Sequence, residues 1–198
     1  MIVAGAHSSP ATMSAAVLHG RRDLRVEDVP RPPAPEADEI LIEVRAVGLC
    51  GTDLAEWAAG PHQVPISVSH PRTGHAGPTV LGHEFSGVVV ETGTDVPAGW
   101  DGELVTCAGA VPCDRCPACR AGAASQCASY WVIGLHRDGA LTRLVRAPLR
   151  SCARVGDRGL TAEEAALAQP MGIAVHAARR GEPADGRRAI VLARAFVS

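Results

Sequence analysis

Four cysteines at the spacing Cys113-x2-Cys116-x2-Cys119-x7-Cys127 constrain this chain more than any other feature. Four thiolates this close along one loop can close a tetrahedron around Zn²⁺. Protein then fills every coordination position and leaves none for a substrate, so the spacing predicts a structural zinc lobe rather than a reactive centre. The competing explanation is a chance grouping of buried or redox thiols. The first twenty residues hold no Lys or Arg ahead of an apolar stretch, which argues against a secretory signal. Seven cysteines without such a signal read as metal ligands more readily than as a disulfide framework, and the localisation expected is cytoplasmic. Cys107 and Cys152 fall outside the pattern and read as inert core thiols.

Composition narrows the partners. A net charge of −2 over 198 residues excludes a polybasic nucleic-acid binder and an acidic tail protein. With 46% hydrophobic residues the chain can build a core, yet its apolar runs are too short for a membrane span. No nucleic-acid partner and no membrane partner is therefore expected.

The pattern along the chain is mostly β with short helices. Residues 15–19, 24–30, 39–49, 86–92, 103–108 and 141–148 read as strands, by alternation or by short apolar runs. Thr52–Ala59 reads as a short helix with Thr52 or Asp53 as its cap and Gly60-Pro61 as its stop. Residues 60–82 form a loop rich in Gly, Pro and His. Thr161-Ala162-Glu163-Glu164 fits a capping box ahead of an apolar, Ala-rich run. Pro170 divides that run into helices at about 162–168 and 171–180. Residues 187–193 read as one buried strand. The organisation expected is a flexible extension over 1–13, a zinc-binding domain over 14–160, and linker helices with the start of a further domain over 161–198.

A second constellation is GLCGTD (48–53) followed by LGHEFSG (81–87). Cys50 follows a strand, and His83-Glu84 precedes one. A thiolate, an imidazole and a carboxylate make a three-ligand zinc site with an open position. Such a site polarises a bound oxygen and acidifies a bound water or alcohol. A lone Cys and a lone His are also common core residues, and spacing alone does not decide between the two.

Taken together, Gly-Leu-Cys50-Gly-Thr-Asp, Gly82-His83-Glu84, the four-cysteine lobe and QPMGIAVHAARR (169–180) resemble the zinc-dependent medium-chain alcohol dehydrogenases over about residues 14–192. The insert HPRTGHAGP resembles the 2,3-butanediol and polyol dehydrogenase branch. The resemblance implies a GroES-like β-barrel with a structural zinc lobe, followed by a linker helix and a truncated Rossmann strand. It implies that Cys50, His83 and Glu84 are ligands of a catalytic zinc, that Thr52 relays the alcohol proton, and that Asp53 holds a ligand histidine from behind. Asp53 also reads as a helix cap, and both can hold. Cys113, Cys116, Cys119 and Cys127 match the structural zinc ligands.

Two departures stand against the family pattern. Gln169-Pro170 replaces the Glu-Pro of that branch, so Gln169 brings a hydrogen-bonding amide without negative charge. In the Gly-x-Gly-x-x-Gly turn that cradles a dinucleotide, Ala193, Ala195 and Ser198 stand at the glycine positions. The expectation is a dehydrogenase of a secondary alcohol or diol, using Zn and NAD(P) in the complete enzyme, with this chain lacking the cofactor domain and inactive alone. The alternatives are a truncated zinc-binding or interaction protein and, more distantly, a metal-dependent lyase or hydrolase. Apolar surface left by a missing domain implies a homo-oligomer or a partner chain. His62, His70 and His75 read either as a pocket rim or as a solvated loop.

Overall fold

The computed structural model describes residues 11–181. The strand expected at 187–193 and the dinucleotide turn lie outside the described residues, as does most of the expected N-terminal extension. Two residues expected in it are strand instead, since Thr12 and Met13 pair with Pro30 and Val29.

Ten strands dominate: β1 (Thr12–Gly20), β2 (Asp23–Pro30), β3 (Glu39–Gly48), β4 (Thr79–Val80), β5 (Glu84–Thr92), β6 (Leu104–Cys107), β7 (Ala110–Val111), β8 (Trp131–Val132), β9 (Leu144–Pro148) and β10 (Cys152–Arg154). The helices are short: α1 (Gly51–Ala59), α2 (Pro117–Arg120), α3 (Ala162–Ala166) and α4 (Ala168–Arg180). The strands form one sheet ordered β2-β1-β4, a larger one ordered β10-β6-β5-β3-β9, and a β7-β8 ribbon. All of these pairings are antiparallel. The mostly-β expectation with short helices therefore stands. No helix among the described residues is long and apolar enough to cross a membrane.

The core draws on strands buried on both faces at their inner ends, as with Glu39–Ile42 on β3. Ile40 and Ile42 on β3, Phe85 and Val89 on β5, Val105 on β6 and Val145 on β9 meet in the main apolar cluster. A second cluster joins Leu18, Val64, Leu81, Val132 and Leu135, and it carries the smaller sheet and the long loop against the rest. The β3–β5 register shifts twice, with Val90 of β5 as the extra residue opposite Leu41 and Ile42, and Arg45 of β3 as the extra residue between Val44 and Ala46.

The β3–β5 register joins the two halves of the open site. Gly48, the last residue of β3, pairs with Glu84, the first residue of β5. Sequence positions more than thirty apart are thus brought to one corner of the sheet, where Cys50 turns the chain into α1.

Two helix boundaries differ from expectation. Cys50, not Thr52 or Asp53, is the N-cap of α1, and Asp53 sits at its third position. There the Asp53 carboxylate accepts the Cys50 N–H at 3.0 Å, which satisfies a group the helix leaves unpaired. Pro170 does not interrupt a helix either. The break falls at Leu167, which closes α3 and opens α4, and Pro170 then lies in the first turn of α4, where its missing N–H has no partner to lose. The Thr161 capping box is formed: Thr161 Oγ1 accepts the Glu164 N–H at 3.2 Å, and Glu164 Oε2 accepts the Thr161 N–H at 2.8 Å.

Candidate metal centres

Cys50, His83 and Glu84 offer a sulfur, a ring nitrogen and a carboxylate oxygen within 4.8 Å of one another. His83 and Glu84 are buried, and Cys50 is partly so. Room for the carboxylate is made by Gly48, since a Cβ there would stand 2.8 Å from Glu84 Oε2. Gly109 serves His83 in the same way: its φ is +72°, and a Cβ would press on the His83 carbonyl at 2.7 Å. Neither role was legible in the sequence. The glycine of GLCGTD carried the only available signal for Gly48.

Asp53 is 2% exposed and addresses two candidate ligands at once. One oxygen accepts the Cys50 N–H, and the other lies 3.5 Å from His83 Nδ1. Both Asp53 Oδ1 and His83 Nδ1 are buried and have no closer hydrogen-bond partner among the described residues. A proton on Nδ1 facing that carboxylate leaves the Nε2 lone pair free, as a metal-binding imidazole requires. Thr52 Oγ1 lies 3.7 Å from Cys50 Sγ. A thiolate, an imidazole and a carboxylate backed by a buried acid fit a zinc ion with one position open.

The second centre gathers Cys113, Cys116, Cys119 and Cys127, whose sulfurs lie within 4.8 Å of one another. Backbone donors point at them. Cys127 Sγ accepts the Cys113 N–H at 3.3 Å and the Ser129 N–H at 3.4 Å, and Cys113 Sγ accepts the Cys116 N–H at 3.3 Å. Donors of this kind favour thiolates. The backbone N–H groups of Cys119 and Ala128 hold the Cys116 thiol down to about 6. Desolvation, then the neighbouring thiols of Cys116 and Cys127, push Cys119 up to about 12. Four sulfurs cannot all ionise side by side without a cation among them, so the donor set fits zinc.

The other candidates are distributed differently. Gln169 sits in the first turn of α4, and its buried Oε1 has no hydrogen-bond partner among the described residues. It lines a cavity of about 640 Å³ together with Cys107, Ser151, Cys152, Ile173 and His176. His62 is exposed, while His70 and His75 are half-buried and His75 lines a cavity beside Thr73 and Arg137. His70 stacks on His136 with ring centroids 4.3 Å apart, and His75 Nε2 bonds Thr79 Oγ1 at 2.7 Å. Glu56, 1% exposed, accepts the His62 and Gln63 N–H groups at 2.8 Å each and so ties the long loop to α1.

Known proteins with this pattern exist. Residues 36–157 match the alcohol dehydrogenase GroES-like domain. The L-galactonate-5-dehydrogenase of Escherichia coli K12 is 35% identical over 160 residues, covering 81% of this chain and 43% of that protein. The sorbitol dehydrogenase of Bacillus subtilis 168 is 33% identical over 178 residues, covering 88% of this chain and 47% of that one. The crystal structure of the B. subtilis 2R,3R-butanediol dehydrogenase superposes with a TM-score of 0.77 at 30% identity, over 84% of this chain and 47% of that one. The chain thus spans about half the length of the relatives it matches.

Proposed function

Since this chain belongs to the alcohol dehydrogenase GroES-like domain family, we propose that it forms the zinc-binding catalytic half of a polyol- or diol-type alcohol dehydrogenase. The reaction is oxidation of a secondary alcohol or diol, with hydride passing to NAD(P) in the complete enzyme. The observation that carries this reading is the convergence of Cys50, His83 and Glu84 with Asp53 behind them.

Cys50, His83 and Glu84 would hold a catalytic zinc, and Cys113, Cys116, Cys119 and Cys127 a structural one. The catalytic zinc, when bound, polarises the alcohol oxygen and lowers the pKa of its proton. The chain's own residues do the rest. Asp53 fixes the His83 tautomer and, through the Cys50 N–H, the position of Cys50. The Thr52 hydroxyl beside Cys50 Sγ takes the alcohol proton and passes it towards solvent. Gln169 adds an amide with no charge, so the negative charge of the donor set rests on Cys50 and Glu84. This reading places the NAD(P) site outside the described residues, in the domain that would come after 14–160, with residues from 161 onwards as its linker. It also places a second copy or a partner chain against α4, and the protein in the cytoplasm.

Cobalt(II) exchanged into the zinc-loaded chain tests the proposal. Visible bands from the Cys50 site should shift when 2,3-butanediol or sorbitol is added, and the shift should vanish in Cys50→Ala. Bands that ignore every alcohol tried would favour a zinc-binding module with no dehydrogenase role.

A further inference from the structure

Cys107 and Cys152 face each other across the β6–β10 edge of the large sheet. The ladder fixes the kind of pair they form. Ala108 N–H donates to the Ser151 carbonyl at 2.8 Å, and Val155 N–H donates to the Leu104 carbonyl at 2.9 Å. In an antiparallel ladder hydrogen-bonded pairs alternate with non-bonded ones. Bonding at 108/151 and 104/155 therefore leaves 107/152 as a non-bonded pair. At such pairs Cα atoms stand about 4.5 Å apart with side chains close together, inside the window of roughly 4.4–6.8 Å that a disulfide spans.

Both side chains point to the same face. Cys107 belongs to the main core cluster at 1% exposure, and Cys152 packs against that cluster. Both also line the cavity of about 640 Å³ under α4, which gives a small oxidant a route to them. Neither thiol belongs to either metal centre, and the dehydrogenase chemistry uses neither. Spacing in sequence made them look like isolated core thiols, whereas the strand register makes them direct neighbours.

We propose that Cys107 and Cys152 form a reversible dithiol–disulfide site that is oxidised by a hydroperoxide. One thiolate attacks the terminal peroxide oxygen, the O–O bond breaks, and a sulfenic acid forms with release of water or an alcohol. The second thiol then attacks that sulfur and displaces water, leaving the S–S bond. The two sulfurs together lose two electrons and two protons, and the peroxide is reduced. A hydrogen bond from Cys152 favours Cys107 as the thiolate, holding its thiol below the ordinary value against the opposing effect of burial. The closed ring runs from Cys107 to Cys152 and encloses the whole four-cysteine lobe.

The test uses the full chain loaded with zinc, so that the lobe cysteines are held by metal. After brief hydrogen peroxide treatment and alkylation, trypsin cleaves at Arg150 and Arg154 and releases Cys152 in the peptide 151–154. The expected product is that peptide disulfide-linked to the fragment 73–115, lost on dithiothreitol treatment and absent from both Cys107→Ala and Cys152→Ala. Fragment 73–115 also contains Cys113. A linkage that survives Cys107→Ala, or a Cys152 still fully alkylated after peroxide while zinc is retained, would overturn the proposal.

Discussion

Among single residues, Asp53 has the widest reach: it uses one carboxylate oxygen on the Cys50 N–H and turns the other towards His83 Nδ1. Asp53→Asn places an amide where an acceptor is needed. The expected result is zinc binding at the Cys50 site weakened by roughly 10–100-fold, with lobe zinc unchanged, measured by chelator competition. Gly48→Ala should empty the same site by another route, since the added Cβ meets Glu84 Oε2 at 2.8 Å. Zinc content is the readout there too. His136 belongs to the scaffold. Burial first, then the stacked His70, push its imidazole down to about 4 from 6.5, while Glu56 acts weakly the other way. Its Nδ1 accepts the Val132 N–H at 3.0 Å, which fits a neutral ring. The unfolded chain then binds more protons than the folded one between those values, so stability is full above about 6.5 and declines as pH falls towards about 4, by about 3 kcal/mol in all. Urea unfolding across that range should show the slope, and His136→Asn should flatten it. A slope unchanged in the variant would assign it to other groups. The sequence marked the residues of both candidate centres by residue type and spacing. It could not mark Gly48, Gly109, Glu56 or His136, whose roles exist only once distant segments meet.

Among the secondary-structure elements, the β3–β5 register is what assembles the open site; alternation made β3 readable in advance, and a short apolar run made β5 so. Their exact bounds were not readable, because the ends are set by pairing: β5 starts at Glu84 as the partner of Gly48. The same holds for the start of α1, where a cysteine stands at the N-cap because the Asp53 side chain serves its N–H. Pro170 misled as a breaker because sequence alone does not show which helical turn a proline occupies. Glu39 illustrates how the elements are held together. It is 3% exposed at the start of β3 and meets Arg137 at 2.6 Å and Arg146 at 3.5 Å. Burial raises its carboxyl, but the two arginines outweigh that and hold it below the usual range. Arg137 also stacks over Trp131 at 5.4 Å. Arg137→Ala leaves a buried carboxylate with one remaining cation, and a loss of about 3 kcal/mol is expected in denaturant unfolding.

Across the molecule, two candidate metal centres differ in kind within one mostly-β chain: a four-thiol lobe and an open three-donor corner. Charge balance and hydropathy bounded the possibilities, and the family resemblance rested on the motifs at those two centres together with QPMGIAVHAARR (169–180). What lies on α4 was foreseen only in outline. Leu167, Met171, Ile173 and Val175 are 57%, 58%, 59% and 44% exposed, a grouping that solvent disfavours. The proposed partner or second copy predicts a mass above one chain by light scattering, and Ile173→Glu should reduce it. A monodisperse single chain would rule that partner out. The proposed chemistry stands on the pair of zinc sites, and elemental analysis of zinc per chain reads them without an intermediate assay. Two zinc ions are expected in the native chain and one in Cys50→Ala. One zinc in the native chain, unchanged by Cys50→Ala, would refute the open site.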